Sequence, residues 1–134
     1  MIPQRDISLL SNRLAATGGL RVREDVLERD YCLAWFLNAL AQSDLRPVFA
    51  FKGGTALKRS YFPDYRFSED LDFTLREALS FDEIRARLEH IYAMVLEQSG
   101  IAFTFDRQDP RARQHLYLLS ALCRTAPRKQ RCEG

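Results

Sequence analysis

The sequence predicts an α+β fold, a small mixed sheet flanked by helices. Three observations carry that expectation. Two long stretches, Val22 to Ala41 and Phe81 to about Gln98, repeat apolar residues at the spacing of one helix face. Three short runs, Val48 to Phe51, Glu69 to Leu75 and Ile101 to Phe105, are apolar or alternate apolar with polar, as strands do. Between the first two of these runs a glycine pair opens a short helical segment, so that strand, helix and strand follow closely.

Taken in order, residues 1–20 read as a helical or frayed lead-in that ends in Gly18-Gly19 and lies on the surface. In the helix that follows, Val26, Leu33, Leu37 and Leu40 recur on one face, and Tyr31, Trp35 and Phe36 thicken it as packing. Asp44 and Pro47 break the period, making Gln42 to Pro47 a loop. Val48 to Phe51 is expected as a buried strand that Lys52 and the glycines end. Thr55 to Tyr61 makes barely two helical turns with Lys58 and Arg59 exposed, and Pro63 prevents its continuation. Arg66 and Ser68 lead into the next strand, Glu69 to Leu75. Ser80 and Glu83 form a capping box for an amphipathic helix whose stripe is Ile84, Leu88, Ile91 and Val95, stopped by Gly100. A third strand, Ile101 to Phe105, precedes a turn at Asp109-Pro110. Beyond Gln114 the periodicity is lost: LYLLSALC is apolar without strand alternation, and RTAPRKQRCEG is basic without pattern.

Composition narrows the function. A chain of 134 residues supports one domain with a real core. Its 46% hydrophobic and 28% charged content is that of a globular protein. A net charge of +2 does not mark a general polyanion binder, so any basic surface must be local. No apolar run approaches the roughly 18 residues of a membrane span, and MIPQRDIS lacks a signal-peptide core. Cys32, Cys123 and Cys132 have no metal-ligand spacing, and reduced thiols in a cytoplasm are the simple expectation. Neither a P-loop nor a dinucleotide-binding glycine motif occurs, and no Ser-His-Asp or Cys-His arrangement is suggested. His90 and His115 have no second ligand near them in the sequence and read as structural or surface residues.

The chemistry gathers between Phe51 and Leu75, in FKGGTALKRSYFPDYRFSEDLDFTL. On a strand, Asp70, Asp72 and Thr74 share one face while Leu71, Phe73 and Leu75 share the other. The apolar row can be buried, which leaves two carboxylates side by side on the open face. Aspartate is disfavoured in strands, and like charges so placed repel unless a cation sits between them. Magnesium suits such a pair, since it takes carboxylate oxygens and completes its shell with water and substrate phosphates. Gly53 and Gly54 allow close backbone approach. With Thr55, as helix cap or phosphate contact, they make the start of a helix that can accept phosphate. Lys52 and Lys58 are candidates to offset phosphate charge, and Lys58 and Arg59 alternatively to meet an RNA backbone. Ser68 either contacts phosphate or orders the loop. Glu69 adjoins Asp70 but faces the other way.

KGGTAL and RFSEDLDF at this separation resemble the nucleotidyltransferase toxins of the AbiEii/AbiGii (abortive infection) family, in the polymerase-beta-like superfamily. The resemblance is dense over Arg23 to Leu79 and weaker to Asp106. It implies a nucleotidyltransferase-like sheet in which Asp70 and Asp72 are catalytic and hold Mg2+. Lys52, Gly53, Gly54, Thr55, Lys58 and Ser68 would bind a nucleoside triphosphate. The implied reaction moves a nucleoside monophosphate from NTP to an RNA acceptor, tRNA foremost, in a toxin–antitoxin or phage-defence setting. It further implies a cognate antitoxin as partner, no membrane, and a cytoplasmic location. The family carries more sheet after this point, including a strand with a third acidic residue, and then a helical region. The fold is therefore expected to be incomplete at its C-terminus: one partial domain over 1–134, with 1–20 as lead-in, 21–106 as core and 115–134 as a non-native tail left by truncation or a frame shift near Gln114. Asp106 is the in-chain candidate for the missing carboxylate. Beside the enzyme stand two other readings, an impaired remnant that binds Mg-NTP at most and a non-enzymatic interaction module.

Overall fold

The structure, a computed structural model, describes residues 2–18, 21–61, 70–105, 115–118 and 124–125. In chain order its elements are α1 (Gln4–Ala16), α2 (Glu24–Ala41), β1 (Phe49–Lys52), α3 (Gly53–Ser60), β2 (Leu71–Leu75), α4 (Phe81–Ser99), β3 (Ile101–Ala102), β4 (His115–Leu118) and β5 (Arg124–Thr125). Strands β1, β2 and β4 form one sheet in that order, with β2 in the middle, and β3 pairs with β5. The described pairings are antiparallel. This is the α+β architecture expected from the alternation of helical and strand-like runs.

The core lies between the sheet and helices α2 and α4. Phe73, in the central strand, packs against Phe49 and Phe51 of β1 with ring centroids 5.2 and 5.3 Å away. From α2, the buried residues are Leu27, Cys32, Leu33, Phe36, Ala39 and Leu40. Leu33 and Leu40 were expected there, whereas Val26 and Leu37 are only half-buried and Leu27, Cys32 and Ala39 take the inner positions. The helix has turned a little relative to the stripe that its largest aliphatics suggest. Phe36 explains the rotation: it is fully buried and meets both Tyr92 and Phe103, with centroids at 6.3 and 5.8 Å.

Helix α4 follows its sequence closely. Its capping box is formed by Ser80 and Glu83, its stripe of Ile84, Leu88, Ile91 and Val95 is buried, and Gly100 ends it in the left-handed conformation at φ 74°. Such a conformation suits a residue without Cβ. The lead-in is more ordered than the expectation of a frayed arm: α1 is a helix that buries Ile7 and Ser11, and Ser11 donates its hydroxyl to the Val22 carbonyl at 2.7 Å.

Four further expectations are corrected. The short helix begins at Gly53 rather than Thr55, with Lys52 as its N-cap, so the glycines lie within its first turn. The strand expected over Ile101 to Phe105 is only Ile101–Ala102, the two residues that pair with β5, while Phe103 is still buried in the core and Phe105 packs against Phe81 at 5.6 Å. The run after Gln114, expected to hold no regular element, contains β4, which extends the main sheet beside β2. Cys32, expected as a free thiol, is disulfide-bonded, and its partner is not among the described residues. No helix among the described residues is long and apolar enough to cross a membrane.

Candidate functional site

The site begins with a register. Antiparallel pairing of β1 and β2 sets Phe51 opposite Phe73 and Lys52 opposite Asp72. Directly opposed residues share a face. The phenylalanines take the core side, and Lys52 and Asp72 therefore take the other, as a cross-strand pair of opposite charge. On its far side Asp72 is registered with Tyr117 of β4. Burial agrees with the alternation: Leu71 and Phe73 are buried, while Asp72 and Thr74 are half-buried.

Immediately after Lys52 the chain turns into α3 through Gly53, whose φ is +81°. The reason for glycine here is specific. A Cβ at this position would run into the Asp72 Oδ2 and stand 3.2 Å from its Cγ. The Asp72 carboxylate thus occupies the space over the Gly53 main chain, beside the first turn of α3. Gly54 follows in the same turn and is half-buried.

Thr55 makes the second link. It is 1% exposed, and its Oγ1 donates to the main-chain carbonyl of Asp70 at 2.5 Å. The hydroxyl expected to cap the helix or meet phosphate is therefore spent on the residue that leads into β2. A threonine hydroxyl has one hydrogen to give. Asp70 itself is exposed and sits one residue ahead of β2.

The cations on α3 divide in two. Lys58 is half-buried on the helix. Arg59, considered above for an RNA backbone, reaches α2 instead: its NH2 donates to both the carbonyl and the Oδ1 of Asp30, each at 2.8 Å. Arg66, Ser68, Glu69 and Asp106 lie outside the described residues. His90 is exposed on α4. A cavity of about 430 Å³ lined by Ser11, Arg21, Arg23, Glu24 and Asp25 lies at the start of α2 and shares no residue with this site.

The structure thus brings Lys52, Gly53, Gly54, Thr55, Asp70 and Asp72 together where β1 passes into α3. Sequence reasoning missed the bond from Thr55 to the Asp70 carbonyl, the Lys52–Asp72 register and the Arg59–Asp30 pair. Each joins residues from separate elements, and only the opposite charges of the two pairs hinted at them. Chemically, the donor set is hard oxygen. Among the described residues no three His, Cys, Asp or Glu side chains converge. Two carboxylates completed by substrate phosphates are a set that magnesium accepts, and the space over a glycine keeps one of them close to main-chain amides.

A family model described as the nucleotidyl transferase AbiEii toxin of type IV toxin–antitoxin systems matches residues 35–131. The match takes in the whole β1–α3–β2 unit and continues through β4 and β5, over the stretch set apart as a tail. Comparison with curated proteins finds no match, and comparison with solved structures finds none. Matched over well more than half its length, the chain belongs to the nucleotidyl transferase AbiEii toxin family.

Proposed function

We propose that this protein transfers a nucleoside monophosphate from a nucleoside triphosphate to an RNA acceptor, tRNA foremost, as the toxin of a toxin–antitoxin pair active in phage defence. The observation that carries the reading is the Asp72 carboxylate lying over Gly53, at the start of α3. Anionic oxygen and phosphate-accepting amides are then neighbours, which nucleotidyl transfer requires.

In this reading Asp70 and Asp72 are the catalytic carboxylates and hold Mg2+. The bound metal supplies positive charge to the triphosphate and to the attacking oxygen. The main-chain N–H groups of Gly53, Gly54 and Thr55 receive phosphate oxygens at the positive end of the α3 dipole. Lys52 and Lys58 offset phosphate charge, and Ser68 contributes a hydroxyl. The acceptor hydroxyl attacks the α-phosphorus and pyrophosphate departs in line, so the protein's work is positioning and charge compensation. A cognate antitoxin protein is the expected partner.

Labelled NTPs, magnesium and total tRNA incubated with the protein test this. Label appearing in RNA, and lost in Asp70→Asn and Asp72→Asn, supports the transferase. Magnesium-dependent nucleotide binding without labelling would instead mark an impaired remnant. A stable protein complex with no nucleotide binding would mark an interaction module.

A further inference from the structure

We infer that Thr55 is a positioning residue for the carboxylate pair: its side chain sets metal affinity while touching neither metal nor nucleotide. The inference rests on the reading of Asp70 and Asp72 as magnesium ligands and deepens it. Thr55 is 1% exposed, and its hydroxyl donates to the Asp70 carbonyl at 2.5 Å. With its one hydrogen committed, it has none to offer a phosphate.

The bond has a geometric consequence. Asp72 is set by strand pairing to Lys52 and by the contact of its carboxylate with the main chain at Gly53. Asp70 stands outside β2, ahead of its first residue. Thr55 ties the Asp70 main chain to the first turn of α3, the same turn that begins at Gly53. Both acids are thereby referenced to one helical turn, Asp72 through its side chain and Asp70 through its carbonyl. A cation held between two carboxylates depends on their separation, and partners that orient ligands commonly change metal affinity by about 10–100-fold when removed.

Manganese(II), a paramagnetic stand-in for magnesium, titrated into the full chain without nucleotide and followed by electron paramagnetic resonance, tests the inference. Thr55→Val keeps the shape and deletes the hydroxyl; it should weaken Mn2+ binding about tenfold, while Thr55→Ser should stay close to wild type. A folded Thr55→Val protein that binds Mn2+ like wild type overturns the inference, and all the more so if its ATP affinity falls, which would make Thr55 a phosphate contact. Should the valine variant not fold, Thr55→Ser and Thr55→Ala also differ by the hydroxyl, and equal Mn2+ affinities in that pair overturn the inference just as well. Asp72→Asn separates the two levels. If it abolishes Mn2+ binding while Thr55→Val does not, only the role of Thr55 falls. If it leaves binding unchanged, the carboxylate reading falls and takes the inference with it.

Discussion

The Asp72 carboxylate rests against the main chain of Gly53, so that one atom more on the glycine would overlap it. The two residues belong to adjacent antiparallel strands and their junction with α3, and the Lys52–Asp72 register brings them together. A side chain at residue 53 would be opposed twice, by the carboxylate and by the backbone at φ +81°.

Gly53→Ala is therefore expected to destabilise the fold, by about 1–2 kcal/mol for the left-handed backbone and further for the overlap. The overlap part can be isolated. Adding Asp72→Ala should recover some of the loss, since neighbouring substitutions couple. Urea unfolding of both single variants and the double variant measures this, and strictly additive losses would contradict the contact.

Arg59 joins α3 to α2 through Asp30, and both side chains are less than a third exposed. Arg59→Met should cost about 1 kcal/mol, the upper range for a partly screened ion pair. Asp30→Asn should cost less, because an amide oxygen and the Asp30 carbonyl still accept from the guanidinium. Denaturation midpoints compare them. A larger loss in Asp30→Asn would show that the main-chain bond contributes little.

The capping box of α4 is expected to be pH-dependent. Glu83 accepts from the Ser80 hydroxyl at 2.7 Å and the Ser80 amide at 2.9 Å, and these bonds hold its carboxyl below the ordinary 4.5. A lowered carboxyl stabilises the fold above its unfolded pKa and loses that contribution as pH falls through the folded value. Ser80→Ala should cost about 1 kcal/mol at neutral pH. The gap from wild type should narrow as the pH drops below 4.5. Thermal melts across that range check the sign, and a gap that widens in acid would contradict it.

Tyr92 gives the opposite limb. Burial, and secondarily the charge of Glu89, pushes its hydroxyl from 10.0 up to about 12. A raised pKa means that stability is full below the unfolded value and falls as pH rises from 10 toward 12, by about 2–3 kcal/mol if the shift is carried through. The ring itself is well placed, stacked on Phe103 at 5.9 Å. Tyr92→Phe should leave stability near pH 7 little changed and flatten the alkaline loss. A variant that unfolds in alkali as readily as wild type would assign the loss elsewhere.

Much of this fold was legible because its signals are local. The Ser80–Glu83 box, the Ile84–Leu88–Ile91–Val95 stripe and Gly100 mark α4 at both ends, since caps and periodicity depend on residues within a turn or two of each other. The alternation of Leu71, Asp72 and Phe73 likewise marked a half-buried strand. The inner face of α2 was less legible, because Leu27, Cys32 and Ala39 were selected over Val26 and Leu37 by what Phe36 meets across the core. Strand β4 was missed for a related reason: HLYL acquires its role from pairing with β2, a partner remote in sequence.

The sequence by itself determined the order of elements from α2 to β3, the family, and the presence of a glycine turn and an acidic strand close together in the chain. Spacing and residue type are sufficient for these, since they act through the backbone nearby. Tertiary structure alone decided that Asp72 lies over Gly53, that the Thr55 hydroxyl holds the Asp70 carbonyl, and that Arg59 serves α2. Those relationships depend on strand register and on how α3 seats against β2, which chain neighbours do not specify.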